Sequence, residues 1–120
     1  YRGLVCKRRC AAVKVSIYQI AIEHDANRLA FQSLERITSV SNGRVPAELY
    51  SCVFAGEVAV KTLEDIFYVF NMAHPSGYKG RSLSVSDVVE VPLTQEESQF
   101  YYCEPIGFKR ICFEKSRVSR

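Results

Sequence analysis

The clearest pattern of apolar and polar positions begins at Leu83. Every second residue from Leu83 to Val91 is apolar, with Asp87 as the exception. Such alternation over a run rich in β-branched residues predicts a strand with one buried face. We therefore predict that a strand begins near Leu83 and continues through Val91.

Two further strands are predicted directly after it. Residues 100–104 and 108–113 are again rich in aromatic and β-branched side chains, and Pro105-Ile106-Gly107 separates them. Proline lacks a backbone donor and glycine accepts a positive φ, so the tripeptide favours a tight hairpin turn. The last third of the chain thus predicts three consecutive antiparallel strands.

The first half of the chain predicts two more strands. Val13, Val15 and Ile17 alternate with polar residues in the segment 13–20, and residues 49–54 resume a strand pattern. Gly56 follows, and a glycine within a strand pattern usually marks an interruption. We therefore expect the second of these strands to end before Gly56.

Residues 62–71 predict the main helix. Thr62 and Asp65 have the spacing of a capping box, and Leu63, Ile66, Phe67 and Phe70 form an apolar stripe at helical intervals. If Phe67 is buried with the rest of the stripe, its replacement by alanine costs about 3–5 kcal/mol.

A shorter helix is predicted at residues 26–37. Its apolar positions approach helical spacing, Asp25 is suited to cap its start, and Ser41-Asn42-Gly43 supplies turn residues after its end.

These elements predict one small α+β domain that spans residues 1–120, with an antiparallel sheet of about five strands, curled or barrel-like. Apolar residues make up 48% of the chain, but none of their runs approaches the ~20 residues of a membrane helix. We expect a cytoplasmic protein without a membrane partner.

Charge is strongly segregated along the chain. Residues 1–14 and 109–120 hold ten cations and one acid, which gives +9, whereas the middle holds six cations and twelve acids, which gives −6. We distinguish a basic N-terminal segment (1–12) and a basic C-terminal tail (114–120). Both can neutralise phosphates or an acidic protein surface, or they are simply solvated termini. The tail cations considered for binding are Lys7, Arg8, Arg9, Lys115 and Arg117.

Five cysteines at irregular spacing argue against a disulfide framework and for a reducing compartment. Cys6 and Cys10 could begin a metal site, but His24 and His74 lack the paired spacing that zinc sites show. We predict no metal and no cofactor. The remaining cysteines, at positions 52, 103 and 112, are interpreted as small buried apolar residues.

Candidate catalytic groups are sparse. Asp87 is suited to a general base, but an aspartate at this position more often binds backbone amides near Ser84 and Ser86. Glu104 lacks a convincing carboxylate partner, and Cys52 with His74 forms no known nucleophile motif. We therefore predict that the protein is not an enzyme.

Two short segments suggest binding. Tyr78, Lys79 and Arg81 combine an aromatic ring with two cations around Gly80, and Phe108-Lys109-Arg110 on the hairpin repeats the combination. Together they could form a patch for a protein carboxylate or a phosphate. The alternative interpretation is ordinary turn residues with solvated charges.

Several motifs resemble one family in their order and spacing. The run 63–71 is followed by His74-Pro75, by the run 79–89 and by the hairpin that contains Tyr101-Tyr102 and Ile106-Gly107-Phe108. This series is similar to the YodL-like domain over residues 49–113, with a weaker likeness at 13–20. The family's hairpin typically reads Tyr-Val-Asp-Ser-Phe-Gly-Phe, whereas residues 103–106 here replace its central part.

The resemblance implies a setting and no reaction. YodL-like domains occur chiefly in conjugative elements, phages and plasmids of gut Firmicutes, often beside DNA-processing proteins. It implies a non-enzymatic binding protein of a mobile element, such as a counter-defence factor that inhibits a CRISPR nuclease by protein–protein contact. The alternative is a nucleic-acid-binding module that uses the basic ends on DNA or RNA. The sequence leaves the oligomeric state open.

Overall fold

The computed structural model describes residues 11–21, 23, 25, 28–60, 62–72, 78, 82–92 and 97–118. Along the chain lie the strands and helices β1 (Ala11–Ile20), α1 (Leu34–Ser39), β2 (Tyr50–Val60), α2 (Leu63–Met72), β3 (Val88–Pro92), β4 (Ser98–Cys103) and β5 (Phe108–Ile111). Short 3₁₀ turns, at Ala47–Leu49 and Lys115–Arg117, precede β2 and follow β5.

The five strands form one antiparallel sheet in the order β2-β1-β3-β4-β5. The predicted α+β class, the five strands and the single main helix are thereby confirmed. The sheet is open, with β2 and β5 at its edges.

Both faces of the sheet are covered by apolar side chains. On one face α2 buries Leu63, Ile66 and Phe70 against strand residues such as Val15 and Val89. On the other face the segment between β1 and β2, together with the end of the chain, packs around Tyr50 and Tyr102. The central strand β3 consequently has buried residues on both sides, which is unusual for an antiparallel strand.

The prediction that the second strand ends before Gly56 was wrong, because β2 runs through Gly56 to Val60. The ring of Phe54 lies over Gly56, where a Cβ atom would come within 3.0 Å of the ring. Glycine therefore makes room for the aromatic ring without ending the strand. The irregularity lies at Val53, where the register against β1 shifts between Ile17 and Tyr18.

The prediction that a strand begins near Leu83 was also wrong. Residues 84–87 form a turn in which the amide of Asp87 donates to the carbonyl of Ser84 at 3.1 Å, and Ser86 has a φ of +85°. The strand begins only at Val88. Leu83 is still buried beside Val89, so the apolar alternation arises from burial and not from a continuous strand.

The predicted helix at 26–37 is shorter and begins later. Helix α1 starts after Ser33, whose hydroxyl accepts from the amide of Arg36 at 3.4 Å. The carboxylate of Asp25 instead accepts from the amides of Leu29 and Ala30, at 2.7 and 2.9 Å, and so fixes a loop. Side chain-to-backbone bonds of this kind compete with helix formation.

Residues 114–118 are not a loose tail. The ammonium of Lys115 lies 2.8 Å from a carboxylate oxygen of Glu90, and Val118 packs on the cluster around Tyr50. The chain after β5 thus belongs to the folded domain as far as Val118.

Candidate functional site

The capping box of α2 is confirmed. The amide of Thr62 donates to Asp65 Oδ2 at 3.2 Å, and the amide of Asp65 donates to Thr62 Oγ1 at 3.1 Å. This reciprocal pair sets where the helix begins, and burial of Leu63, Ile66 and Phe70 sets which side faces the sheet. At 100° per residue, Tyr68 and Met72 therefore point away from the sheet.

Three large apolar side chains of α2 are exposed. The exposed fractions are 42% for Phe67, 61% for Tyr68 and 72% for Met72. The prediction that Phe67 is buried with the stripe was wrong, because this residue lies on the flank of the helix that faces β5. Its ring meets that of Phe108 edge to face, with centroids 6.5 Å apart.

The turn between β4 and β5 presents a second apolar group beside this flank. The amide of Glu104 donates to the carbonyl of Gly107 at 2.9 Å, and Gly107 adopts a φ of +76°, as expected for a glycine that closes a tight turn. Ile106 stands at the tip of the turn with 94% of its surface exposed.

A groove runs between α2 and this turn. Its volume is about 640 Å³, and its apolar walls are Phe67, Leu83, Val85, Pro105, Ile106 and Phe108. We call it the α2–hairpin groove. Large apolar groups at a groove are typical of surfaces that bind another molecule.

The charged residues that line the groove within the described part of the chain are the acids Glu64 and Glu104. One carboxylate oxygen of Glu104 accepts from the amide of Leu34 at 2.9 Å. On β5, Arg110 points to the face of the sheet that carries α2, where it pairs across the strands with Tyr101. Lys109 points to the other face of the sheet and pairs with Tyr102. The groove itself is therefore apolar with an acidic rim.

A second, polar cleft of about 400 Å³ lies where β1 and β3 diverge. The two strands pair only from Ser16 to Tyr18, and continuing that register would set Lys14 opposite Pro92, which has no N–H to donate. At the floor of the cleft, Glu90 accepts from the hydroxyl of Tyr18 at 2.7 Å and from the ammonium of Lys115 at 2.8 Å.

The hydrogen bonds to Glu90 hold it ionised. Burial alone would raise the pKa of this carboxyl, but hydrogen bonds from Lys115, Tyr18 and Ser98 outweigh burial and lower the pKa from its ordinary value of 4.5. Burial and the neighbouring carboxylate raise the pKa of Tyr18, so the phenol remains a donor. These hydrogen bonds fix the carboxylate of Glu90 within the fold.

This arrangement predicts an acid-labile contribution to stability. Because the pKa of Glu90 is lower in the folded chain than its ordinary value, its contribution is present above that value and is lost as the pH falls through the folded pKa. Between about pH 6 and about pH 3, the melting temperature of the wild type should fall more steeply than that of Glu90→Gln. Thermal melts followed by circular dichroism measure this. Glu35→Gln, at an exposed acid, should keep the wild-type slope, and parallel curves for wild type and Glu90→Gln would contradict the assignment.

Asp87 is fully buried and serves the fold. Its Oδ2 atom accepts from the amide of Ser84 at 2.7 Å and from the side-chain amide of Gln19 at 3.0 Å. Gln19 also donates to the hydroxyl of Tyr78 at 3.1 Å. The interpretation of Asp87 as a binder of nearby backbone amides is confirmed for Ser84, whereas the amide of Ser86 donates instead to the carbonyl of Cys103 at 3.0 Å.

The family model described as the YodL-like domain matches residues 14–113, which is 100 of the 120 residues. The chain belongs to the YodL-like domain family. Neither the curated proteins nor the solved structures contain a match to it.

The match covers β1 from Lys14 onward, the other four strands, both helices and the α2–hairpin groove. It therefore reaches further toward the N-terminus than the likeness at residues 49–113. Lys115 and Arg117 lie beyond it. The groove is thus part of the YodL-like domain proper, and the tail cations are additions to it.

The residues proposed for a binding patch lie on two sides of α2. Tyr78 packs against Phe54 of β2 and Phe70, with ring centroids 6.3 and 5.1 Å away. Phe108 lies on β5, at the opposite edge of the sheet, where it lines the groove. Lys79 and Arg81 lie outside the described residues. The described members therefore do not form one continuous patch.

The tail cations that the structure describes are engaged in ion pairs. Lys115 pairs with Glu90, and Arg117 Nε lies 3.0 Å from a carboxylate oxygen of Glu114. Lys7, Arg8 and Arg9 lie outside the described residues.

The prediction for the cysteines holds for one of three. Cys103 is buried, and burial, together with Asp87 and Glu104, raises the pKa of its thiol to about 12. The thiol therefore stays protonated at neutral pH. Cys52 and Cys112 are exposed, so their predicted burial was wrong. Cys52 lies in the edge strand β2 and Cys112 directly follows the edge strand β5. Side chains at these positions that point away from the core are exposed to solvent.

No cluster of metal-binding side chains occurs among the described residues. Cys6, Cys10, His24 and His74 all lie outside them. Within the same part of the chain, no helix is both long and apolar enough to cross a membrane.

Sequence reasoning missed Ile106 and the outward groups of α2. The sequence did contain a signal for Ile106, because the neighbouring residues of a hairpin tip cannot bury a large apolar side chain that lies between proline and glycine. Phe67 gave no such signal, since helical spacing places it beside the buried stripe.

Proposed function

We propose that this YodL-like domain is a non-enzymatic protein-binding module of a mobile element, which acts in the cytoplasm as a counter-defence factor against a nucleic-acid-processing enzyme such as a CRISPR nuclease. The contact surface is the α2–hairpin groove with the outward side of α2. The observation that carries the proposal is Ile106, almost fully exposed at the rim of an apolar groove.

The size and character of the surface support protein binding. Ile106 and Phe67 stand at the groove, and Tyr68 and Met72 continue the exposed apolar groups along α2. Aromatic and methionine side chains are enriched in the cores of protein interfaces, where a few apolar anchors supply most of the affinity. A solvated surface has no need of such a cluster.

The acidic rim supports a basic partner. Glu64 and Glu104 flank the apolar walls, so the complementary surface carries apolar side chains beside lysine or arginine. Enzymes that hold nucleic acid carry such cations along positively charged channels. A CRISPR nuclease therefore fits the chemistry of the groove as well as the mobile-element setting.

The polar residues support a binding role over catalysis. Asp87 binds the amides of Ser84 and Gln19, and Glu90 binds Tyr18 and Lys115, so both buried carboxylates hold the fold together. The nucleic-acid alternative has less support, since Lys115 and Arg117 already pair with acids of the chain.

The test is inhibition of DNA cleavage by a purified CRISPR nuclease from the host. The wild type should inhibit, and Ile106→Ala should weaken binding by about 2 kcal/mol, or roughly 30-fold, because truncating a large apolar side chain that a partner buries has that effect. Its unfolding free energy should stay within about 0.5 kcal/mol of the wild type, since the side chain is exposed.

Val40→Ala is the matched control, since Val40 is an exposed apolar residue that follows α1. It should inhibit like the wild type. If the nuclease is not inhibited, affinity capture with mass spectrometry should recover another defence protein with the wild type and lose it with Ile106→Ala. Equal recovery by all three proteins would refute the groove as the contact surface.

A further inference from the structure

The two edges of the sheet differ in how well they are guarded. β5 is four residues long and exposes Lys109 and Arg110, whereas β2 is eleven residues long. Natural proteins protect sheet edges by short strands, charges, proline or bulges, because an unguarded edge pairs with another strand. β5 has two of these protections.

On β2 the protection is confined to one end. The bulge at Val53 disrupts the strand at its start and leaves Phe54–Val60 regular against β1. The exposed side chains of that stretch are Ala55, Glu57 and Ala59, so it carries one charge and no proline. Among the strands that the described residues form, β2 has a single neighbour, β1.

We propose that the outer edge of β2 pairs antiparallel with β2 of a second copy of this chain. The two-fold axis of such a pair is perpendicular to the sheet, so the two five-stranded sheets become one continuous sheet with both α2 helices on the same face. Backbone groups at the edge of β2 then find partners without any change in the domain.

The charge of Glu57 disfavours one register of this pairing. A pair centred on Glu57 sets two carboxylates opposite each other, which is destabilising. A pair centred on Gly56 sets Glu57 opposite Ala55 of the second copy and Phe54 opposite Val58. Aromatic and β-branched residues pair favourably across strands, which favours the register centred on Gly56.

The test is sedimentation velocity of the full chain from about 1 to about 100 µM, with charge swaps at Ala55. The wild type should shift from monomer to dimer with concentration. In Ala55→Glu, the new carboxylate of each copy lies opposite Glu57 of the other copy. This repulsion should raise the dimer dissociation constant about tenfold. Ala55→Lys, at the same site, should leave it unchanged or lower. Combining Ala55→Glu with Glu57→Gln removes the pair of like charges and should restore the wild-type value.

Ser39→Glu, at an exposed position of α1, is the control and should dimerise like the wild type. Circular dichroism verifies that each variant is folded. A wild type that stays monomeric at the highest concentration overturns the proposal, as does a dimer that responds equally to both charges at Ala55.

Discussion

Asp87→Ala is expected to lower the unfolding free energy by about 3–5 kcal/mol, because it removes a buried carboxylate that accepts hydrogen bonds from two donors. Those donors are the amide of Ser84 and the side chain of Gln19, which both reach Asp87 Oδ2. The same turn anchors Ser86, whose carbonyl accepts from the hydroxyl of Tyr50 at 2.7 Å. Urea unfolding followed by circular dichroism measures the loss.

Asp87→Asn keeps an oxygen acceptor at nearly the same place and should cost about half as much, which keeps the effect measurable if the alanine variant does not fold. Glu57→Gln, at an exposed acid, should change the unfolding free energy by no more than about 0.5 kcal/mol. A loss below about 1 kcal/mol for Asp87→Ala would show that the network contributes little to the fold.

The region around Asp87 also shows where periodicity misleads. Leu83 and Val89 are both buried on the α2 face, so their spacing predicted one strand through both. A polar turn lies between them, and Ser86 adopts a positive φ there that serine seldom takes. The carbonyl of Ser86 accepts from the hydroxyl of Tyr50 and its amide donates to the carbonyl of Cys103, so residues distant in sequence hold that conformation. The alternation of apolar residues therefore predicted the burial of Leu83 and Val89 correctly, but it predicted the backbone conformation between them incorrectly.

Features that depend on neighbouring residues were predictable. The capping box of α2 and the turn at Pro105-Ile106-Gly107 use contacts within four residues, and both are present. The length of β2 was not predictable in this way, because Gly56 is held in the strand by its pairing with Val15 of β1, a residue far away in sequence. Packing across the sheet overrides the local weakness of glycine.

The candidate site could be predicted only in part, for the same reason. Phe108 was identified as a binding residue and lines the groove, but the grouping with Lys109 and Tyr78 does not occur in the described structure. Adjacent residues on a strand point to opposite faces, which separates Phe108 from Lys109. The groove itself requires α2 and the hairpin to lie side by side, and no short sequence motif encodes that placement.

Phe70→Ala and Phe67→Ala should separate the two roles of the apolar stripe on α2. Phe70 is fully buried, with ring centroids 5.1 Å from those of both Phe54 and Tyr78. Its truncation should lower the unfolding free energy by about 3–5 kcal/mol, through lost burial and a cavity between these rings. Phe67 is half-exposed, so its truncation should cost only about 1 kcal/mol. Urea unfolding of both variants at one temperature provides the comparison.

Binding of the proposed partner should depend on Phe67 and not on Phe70. Phe67 lines the α2–hairpin groove, so Phe67→Ala should weaken binding of the proposed partner by about 1–2 kcal/mol, which is roughly 5–30-fold. Phe70→Leu keeps most of the buried volume and should bind like the wild type wherever it is folded. Equal loss of stability in the two alanine variants would mean that Phe67 belongs to the core after all. Full binding by Phe67→Ala would place the partner elsewhere on the domain.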